Sequence, residues 1–529
     1  MAKKKKKKIK AGFEISLETT PFHVLFFAAY PLILLYMVNA KEMYAYLLIK
    51  PMFISILAAS ALYCAVLFMV KNALKAGFMT SVFIIWFFTY GHLYRSLEAP
   101  LKLTNHFVLF PMTMALAGAV IAFVARLRIK NTQTPEKINL ILNYVAIGLV
   151  LFVTAAAILR MPEQGKIEPV KQLTETAAPS SADEKYPDIY YIIMDGHARS
   201  DYMKKTFNYD DSVFIDKMRS MGFYIPAKAK ANYPETLLSF ASFLNCDYLD
   251  KLIKLDPASD DRVVVKDQIK KKSALGYLKD KGYTVIIFPS INVTNAMKAG
   301  ADYIMTPAAL TFGEFEYMIF STSVISAVSG FFHEGEPPAY QARRESIRYD
   351  FKYIPETAKM GSPKVVFAHI VCPHPPFVFD AQGGAVINTK PINFADGDHS
   401  DFSTEEYVEK YGAQARFIDD MTVKMVENLM KNMKKNSIII IHGDHGSGSH
   451  LNWEDYTKTD FGERLSIFSA YYLPGGGDKL LYPGISPVNN FRLIQKFYFG
   501  EKINLLPDKS YFSKWDKPYD FIDVTKYTQ

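Results

Sequence analysis

Long runs of apolar residues fill the N-terminal third of the chain, and shorter runs bounded by Gly, Pro and polar residues fill the rest. Five long runs approach or exceed the roughly 20 residues that a helix needs to cross a bilayer. Four runs follow the first one, which argues against a cleaved signal peptide. The pattern predicts an α-helical membrane domain with five transmembrane helices, near 21–39, 46–70, 76–96, 106–125 and 138–159.

The shorter apolar runs alternate with helical patterns, which predicts an α/β domain with a mostly parallel central sheet between helices. We predict strands at 188–195, 283–288, 365–370 and 438–441, and a further strand in the run LSIFSAYYLP of the tail. Helices are predicted near 211–221, from Thr236 to 245, near 270–281, near 405–434 and close to the C-terminus.

Residues 161–187 are rich in Pro, Ser, Thr, Ala and Glu and have no apolar period, so they are predicted to be a linker. The expected organisation is a membrane domain over 1–160, this linker, and a catalytic domain over 188–529. Of the three cysteines, only Cys246 and Cys372 lie outside the apolar spans, which excludes a disulfide framework.

The net charge of +8 is unevenly distributed along the chain. Residues 1–160 hold 18 Lys and Arg against 5 Asp and Glu, so the basic balance belongs to the membrane domain and is no evidence for nucleic acid. Thirteen of these cations lie on one side of the predicted spans and five on the other. By the positive-inside rule the N-terminus is cytoplasmic, and five spans place the catalytic domain outside a bacterial inner membrane.

Three predicted strands end in residues that can bind a metal or transfer a proton. Asp195 follows the first strand, His369 and His374 lie around the end of a later one, and Asp444 and His445 follow the four isoleucines 438–441. Open α/β sheets bind ligands at the carboxyl ends of their strands. Taken alone, an Asp-His-Gly sequence is more often a polar turn, and the presence of the other strand ends is what favours a site.

Thr236 opens a predicted helix directly after Pro234 and Glu235. A hydroxyl at this position usually caps the helix. The same geometry directs the positive end of the helix dipole at any group bound to the hydroxyl, which favours a phosphoryl or sulfuryl group.

The remaining candidates are mainly histidines. Prolines 373, 375 and 376 restrain His374, which suits a contact to an oxyanion, a leaving-group acid or a metal ligand. His369 is as readily a buried histidine bonded to the backbone. His450 lies on a Gly/Ser-rich loop that could close over a substrate. A helix near 343–348 carries three arginines, for which an exposed charged face is the expected role, at Arg343, Arg344 and Arg348.

Asp195, Thr236, Asp444 and His445 form a four-ligand set for one divalent ion, and Mn, Zn, Mg and Ca all suit such ligands. A bound ion would activate the threonine as a nucleophile and neutralise charge on a phosphate. His374, His450 or His442 could complete a second set. The site chemistry therefore predicts a metal-dependent phosphotransfer enzyme with Thr236 as its nucleophile.

These four residues, in this order and context, resemble the sulfatase-like branch of the alkaline phosphatase superfamily. The resemblance covers about residues 186 to 505, and His374 in the sequence PHPPF is similar to a substrate-contacting histidine. Membrane spans followed by such a domain also resemble lipoteichoic-acid synthases and lipid A phosphoethanolamine transferases. The resemblance implies transfer of glycerophosphate or phosphoethanolamine from a phospholipid to an envelope glycan or lipid, with His374, His369 and His450 near the substrate.

Two other functions compete with this transferase. The first is a membrane-anchored phosphodiesterase, phosphatase or sulfatase-like hydrolase of an envelope substrate, which a second metal would favour. The chain lacks the Cys/Ser-x-Pro-x-Arg motif of true sulfatases and carries Thr236 instead, which argues against sulfate ester hydrolysis. The second is a non-catalytic scaffold or glycan-binding module, and the complete set of candidate ligands argues against it.

Overall fold

The computed structural model divides the chain into two compact units. The first comprises Met1–Gln164 with Phe312–Glu334, and the second comprises Gly165–Thr311 with Gly335–Gln529. The structure describes residues 16–40, 45–101, 106–128, 133–160, 186–254, 256–270, 273–290, 297, 300–307, 314–332, 336–389 and 392–528. The lysine-rich start and nearly all of the predicted linker lie outside these residues.

The helices and strands of the described residues are numbered in chain order. The helices are α1 His23–Asn39, α2 Ile49–Val70, α3 Ala73–Leu101, α4 Leu109–Arg126, α5 Gln133–Arg160, α6 Ser200–Phe207, α7 Ser212–Ser220, α8 Thr236–Asn245, α9 Leu249–Leu252, α10 Val263–Lys270, α11 Ala274–Asp280, α12 Glu314–Thr322, α13 Ile325–Phe332, α14 Pro338–Tyr353, α15 Thr404–Asn432, α16 Phe461–Leu465 and α17 Asn490–Tyr498. The strands are β1 Ile189–Met194, β2 Thr284–Phe288, β3 Tyr303–Ile304, β4 Lys364–Ile370, β5 Ile438–His442, β6 Ser469–Tyr472, β7 Tyr511–Phe512 and β8 Ile522–Asp523.

Four helical segments of the first unit are long and apolar enough to cross a membrane: Ala45–Val70, Ala73–Leu97, Leu109–Arg126 and Gln133–Leu159. The first of the five predicted spans is instead the 17-residue helix α1. At 1.5 Å per residue such a helix is about 26 Å long, shorter than the roughly 30 Å hydrocarbon core. The predicted number of five is therefore not confirmed, and the described residues hold four spans by length and composition.

Helix α1 supplies much of the buried core of the first unit, with Leu32 and Tyr36 both 1% exposed. Its start is held by side chains of α5. The Asn143 Oδ1 atom accepts a hydrogen bond of 2.7 Å from the His23 backbone N–H, and Asn139 donates to the Thr20 carbonyl at 3.1 Å. Helix ends leave backbone groups unsatisfied, and these asparagines satisfy them in an apolar setting.

Helices α12 and α13 also belong to the first unit, although they lie between β3 and β4 in sequence. The Val324 backbone N–H donates to the Phe87 carbonyl of α3 at 2.9 Å. A Cβ atom at Gly91 would lie 2.5 Å from the Thr322 carbonyl carbon, so glycine is required for this close approach. The hydrophobic pattern did not predict that this segment packs with the membrane helices.

The second unit is built on a six-stranded sheet with the order β3-β2-β4-β1-β5-β6. The first five strands are parallel and β6 is antiparallel at the edge. The three central strands β4, β1 and β5 are buried along their whole length, which explains their continuous apolar sequences. Helices cover both faces, and the predicted α/β class with a mostly parallel sheet is confirmed.

The predicted elements of this unit occur with small shifts at their ends. The helix expected near 270–281 is α11, which is preceded by the unpredicted helix α10, and the tail supplies β6 and α17 as expected. Cys246 and Cys372 are both free and buried.

Candidate active site

The three strand ends predicted to carry chemistry meet at one edge of the sheet. Ile193 of β1 pairs with His369 of β4 on one side and with His442 of β5 on the other. Asp195 directly follows β1, which lies between β4 and β5. It is therefore flanked by the segments that follow these two strands. The parallel register brings together residues that lie about 250 positions apart.

Asp195 is the centre of the resulting cluster. Its Oδ2 atom lies 3.2 Å from His369 Nε2, and its Oδ1 atom lies 3.3 Å from His445 Nε2. The Asp444 Oδ2 atom is 3.6 Å from the same His445 nitrogen. Two groups could each hold a metal ion, Asp195 with His374 and His445, and Asp195 with His369 and Asp444, and all five residues are buried.

The hydrogen bonds of the imidazoles indicate their tautomers. Nδ1 of His445 lies 2.8 Å from the Gly446 carbonyl and that of His374 lies 2.7 Å from the Pro375 carbonyl, so each donates there. In a neutral ring whose Nδ1 donates, Nε2 is an acceptor, and in both residues it faces carboxylate oxygens. Acceptors repel one another at this distance unless a cation or a proton lies between them.

The unsatisfied atoms support a cation at this position. Three buried atoms of the cluster have no hydrogen-bond partner among the described residues: Asp195 Oδ1, His369 Nε2 and Asp444 Oδ2. Buried polar atoms without a partner are rare and costly. Carboxylate oxygens and imidazole nitrogens are common ligands of divalent ions, and the residues of each of the two groups fit such an ion.

The protonation of these groups agrees with this arrangement. Burial alone would raise the pKa of Asp195, but His374, His369 and His445 outweigh burial and hold it well below its usual range. Burial, assisted by the positive charge of Arg464, lowers the pKa of His445. A charged carboxylate beside a neutral imidazole is the state that binds a metal.

Thr236 lies at the first position of α8, where it is half-buried between fully buried neighbours. Its hydroxyl does not cap the helix, whose N-cap residue is Glu235. Instead Thr236 Oγ1 lies 3.2 Å from His445 Nε2. The helix is fixed to the loop that follows β5, because Ser239 Oγ donates to the Asp444 carbonyl at 3.0 Å. The predicted nucleophile and the predicted ligands are thus brought together.

A buried ion pair between Arg464 and Asp396 lies behind the cluster. Arg464 donates to the Pro234 carbonyl from two nitrogens, at 2.9 and 2.6 Å, and to the Gly446 carbonyl at 3.2 Å. Burial alone would raise the pKa of Asp396, but Arg464 lowers it to about 2. One guanidinium therefore connects the segment before Thr236, the loop after His445, and Asp396.

His374 is held by its backbone as well as by its ring. Its N–H donates to the Asp195 carbonyl at 3.0 Å, and its Nε2 atom lies 3.7 Å from Asp396 Oδ2. Gly196 lies beside His374 and has φ of +72°, a left-handed backbone conformation that favours glycine. The structure thus brings His374 into the cluster from the loop that follows β4.

Two of the three arginines of α14 are buried, contrary to the exposed face that the sequence predicted, and Arg348 is exposed as predicted. Arg343 and Arg344 are each 7% exposed, because α14 packs across the chain that follows β4. Arg343 donates to the Val371 and His374 carbonyls, and burial lowers the pKa of Arg343 to about 10. Arg344 forms an ion pair with Glu336. Arg343 therefore holds the loop that carries His374.

The other histidines have separate positions. His442 is fully buried, its Nε2 atom lies 2.8 Å from the Tyr191 hydroxyl, and burial lowers the pKa of His442 to about 4. It is a core residue outside both ligand groups. His450 is half-exposed and lies 2.7 Å from Glu463 Oε2, and it belongs to neither group. His369 joins the cluster itself, and its Nδ1 atom bonds Ser290 Oγ.

Sequence reasoning missed three residues of this region, Ser290, Asp396 and Arg464, and predicted the wrong role for Arg343. Ser290 follows β2 and Asp396 lies in irregular chain, so neither belongs to a recognisable pattern. Arg343 and Arg464 lie on helices whose polar residues suggest solvent exposure. A signal for Ser290 existed, because β2 was predicted next to the other strands and its end reaches the same edge.

Fold and site together define a class of α/β proteins. Their central parallel strands end in a buried cluster of carboxylates and histidines, which lies beside a hydroxyl at the start of a helix. In this chain the α/β unit is joined to helices that are long and apolar enough to cross a membrane. The Sulfatase family model matches residues 187–477. The chain belongs to this sulfatase family, within the alkaline phosphatase superfamily that the sequence resembled. No curated protein matches the chain significantly.

Solved structures of similar fold include phosphoethanolamine transferases and sulfatases. The C-terminal periplasmic domain of EcEptC from Escherichia coli shares 10% identity at a TM-score of 0.42, covering 67% of this chain and 97% of that one. The lipooligosaccharide phosphoethanolamine transferase A from Neisseria meningitidis, an integral membrane protein, shares 10% at 0.39, covering 89% and 94%. A putative sulfatase from Bacteroides thetaiotaomicron shares 14% at 0.38, covering 64% and 75%.

Proposed function

We propose that this protein is a metal-dependent transferase that moves a phospho-headgroup, glycerophosphate or phosphoethanolamine, from a phospholipid to an envelope glycan or lipid. One observation carries the proposal: the Thr236 hydroxyl, at the start of α8, lies 3.2 Å from His445 Nε2 beside Asp195. A half-buried hydroxyl in that position suits a nucleophile, and the helix start favours the phosphoryl group that it would receive.

The reaction has two balanced steps. In the first, a bond forms between Thr236 Oγ and phosphorus as the bond from phosphorus to the diacylglycerol oxygen breaks, and the threonine proton ends on that oxygen. In the second, a bond forms between the acceptor oxygen and phosphorus as the bond from phosphorus to Thr236 Oγ breaks, and the acceptor proton ends on Thr236 Oγ. The phosphothreonine formed between the steps retains the energy of the donor ester.

Each residue of the cluster has a role in these steps. One divalent ion, held by Asp195, Asp444, His445 and Thr236, would lower the pKa of the hydroxyl and neutralise charge on the phosphate. His374 and His369 face the same edge of the sheet and would contact the phosphoryl oxygens or the leaving oxygen. His450, on its half-exposed loop, would meet the acceptor.

The membrane helices support a lipid donor. We propose that α1 also crosses the bilayer and that the N-terminus is cytoplasmic, since 13 of the 18 membrane-domain cations lie on one side. The catalytic domain, 188–529 after the linker 161–187, is then extracytoplasmic on a bacterial inner membrane. Such a location gives access to phospholipid headgroups and to envelope acceptors.

The test is peptide mass spectrometry of the purified full-length protein after incubation with phospholipids and a divalent ion. A mass gain is expected on the Thr236 peptide, and its value would identify the headgroup. Thr236→Ala should lose both the adduct and transfer, and Thr236→Ser should retain an adduct. The control is Thr457→Ala, at an exposed threonine of the same unit, which should leave both unchanged. Full transfer by Thr236→Ala would contradict the covalent mechanism.

A second candidate is a hydrolase of envelope phosphodiesters or phosphomonoesters. The observation that favours it is that both ligand groups share Asp195, as a carboxylate bridging two ions would. Two ions per chain at full occupancy, with release of free headgroup and no lasting adduct, would favour hydrolysis. One ion with a stable adduct would favour transfer.

A further inference from the structure

The first unit contains an apolar groove that the proposed reaction does not use. Its volume is about 450 Å³, within the ~300–1,000 Å³ typical of ligand pockets. It is lined by α1, α2 and α3 together with α12 and α13, including Leu32, Ile54, Phe83 and Ile319. The segment that lies between β3 and β4 in sequence thus forms part of the wall of a cavity among membrane helices.

Two charged residues line this otherwise apolar groove, Lys50 and Glu316. The Lys50 Nζ atom lies 3.8 Å from Glu316 Oε1, and the side chains are 67% and 21% exposed. The Glu316 Oε2 atom is buried and accepts no hydrogen bond from any residue within the described ranges. A buried carboxylate oxygen is costly to leave without a donor.

We propose that this groove binds one phospholipid with an amine-containing headgroup. An acyl chain occupies the apolar part, the ammonium donates to Glu316 Oε2, and the phosphate lies against Lys50. A zwitterionic headgroup satisfies both charges at once. A phosphatidylglycerol headgroup has no cation for Glu316 and places hydroxyls there instead, so it satisfies the carboxylate less well.

A bound lipid with an amine-containing headgroup favours phosphoethanolamine over glycerophosphate as the group that is transferred. The role of this lipid as donor rests on the proposed function, whereas its binding is measured without turnover, so the two ideas can fail separately. The groove lies wholly within the first unit, and none of its lining residues belongs to the candidate active site.

The experiment is native mass spectrometry of the full-length protein released from micelles that contain equimolar phosphatidylethanolamine and phosphatidylglycerol with the same acyl chains. We expect the ethanolamine lipid to be retained with a preference of roughly tenfold, the scale of one charge-assisted hydrogen bond. Glu316→Gln should abolish this preference while leaving total lipid retention largely unchanged. Glu18→Gln, at an exposed carboxylate of the same unit, should keep it.

A second pair of variants tests the groove itself. Ala58→Phe places a ring in the groove and should reduce retention of both lipids, whereas Ala61→Phe, on the same helix but outside the lining, should not. Equal retention of the two lipids by the unmodified protein, or a preference that survives Glu316→Gln, would overturn the assignment of the amine. Retention unaffected by Ala58→Phe would overturn the assignment of the groove.

Discussion

Replacing Asp396 with asparagine tests whether the buried ion pair supports the site. Asp396 is 6% exposed, pairs with Arg464 and accepts a hydrogen bond of 2.8 Å from the Tyr407 hydroxyl. Asp396→Asn keeps the shape of the side chain and removes its charge, so Arg464 becomes a buried cation without its carboxylate. The Pro234 and Gly446 carbonyls remain as its acceptors.

The loss of unfolding free energy in Asp396→Asn can be derived from the pKa shift and from the cost of breaking a buried ion pair. Depression of the Asp396 pKa from 3.8 to about 2 corresponds to about 2 kcal/mol of stability at neutral pH. Removing one partner of a buried pair costs roughly 3–5 kcal/mol, because the other charge stays uncompensated. We therefore expect Asp396→Asn to lower the free energy of unfolding at pH 7 by about 2–5 kcal/mol.

The sign of the pH dependence follows from the lowered pKa. A carboxyl group with a depressed pKa contributes its stability in full above the unfolded value of 3.8 and loses it as the pH falls towards about 2. The difference between the original protein and Asp396→Asn should therefore be constant from pH 7 to near 4 and shrink below that.

Tryptophan fluorescence during urea unfolding of the full-length protein in detergent measures this effect. The Trp453 Nε1–H donates to the Asp396 carbonyl at 3.0 Å, and the Trp515 ring centroid is 5.4 Å from that of Trp453. In a Trp86→Phe background both remaining tryptophans report on this region. Asp216→Asn, at an exposed acid, is the control. Equal unfolding of the two proteins at pH 7, or a difference that grows below pH 3.8, would refute the reasoning.

Two further predictions concern histidine partners. The group of Asp195, His369 and Asp444 is tested by Ser290→Ala, which removes the partner of His369 Nδ1. An ion bound by this group should lose affinity by about 10–100-fold in competition with a chelator, while the exposed Ser220→Ala does not change it. Equal affinities would exclude His369 as a ligand and leave it the substrate contact proposed above. The Glu463 carboxylate raises the pKa of His450 above 6.5, so its contribution to stability is fully present below 6.5 and is lost as the pH rises through the raised value. The melting temperature of His450→Gln should therefore fall below that of the original protein most clearly at acidic pH, and a difference that is largest at alkaline pH would contradict this pairing.

The catalytic fold was predictable because its central strands are buried on both faces. Their continuous apolar runs are hard to mistake, and a parallel sheet places all their carboxyl ends at one edge. Asp195, Asp444 and His445 could be named for that reason, and Thr236 because it opens a helix. The first span was harder, since α1 is too short for a standard crossing and its burial against α5 is a tertiary property.

The residues around the site were less predictable because tertiary contacts determine their roles. Arg343 reads as a surface residue in a helix with many charges, and only the packing of α14 against the chain after β4 makes it a donor to the His374 carbonyl. Arg464 lies in a five-residue helix whose sequence has no distinctive pattern. A guanidinium that binds backbone carbonyls leaves no signature in the sequence of its partners.

Arg464 and a bound cation would have different roles in the site. Arg464 is permanently charged and fixes the backbone on either side of Thr236 and His445 through carbonyl contacts at Pro234 and Gly446. The opposite side of the cluster is lined by Asp195 and Asp444 oxygens that have no donor among the described residues. The hydrogen bonds of Arg464 go to Asp396 and the two carbonyls, and none of them reaches these oxygens. These unpaired oxygens favour a second cation beside Thr236, and under the proposed function a substrate phosphate would lie between that cation and the positive end of α8.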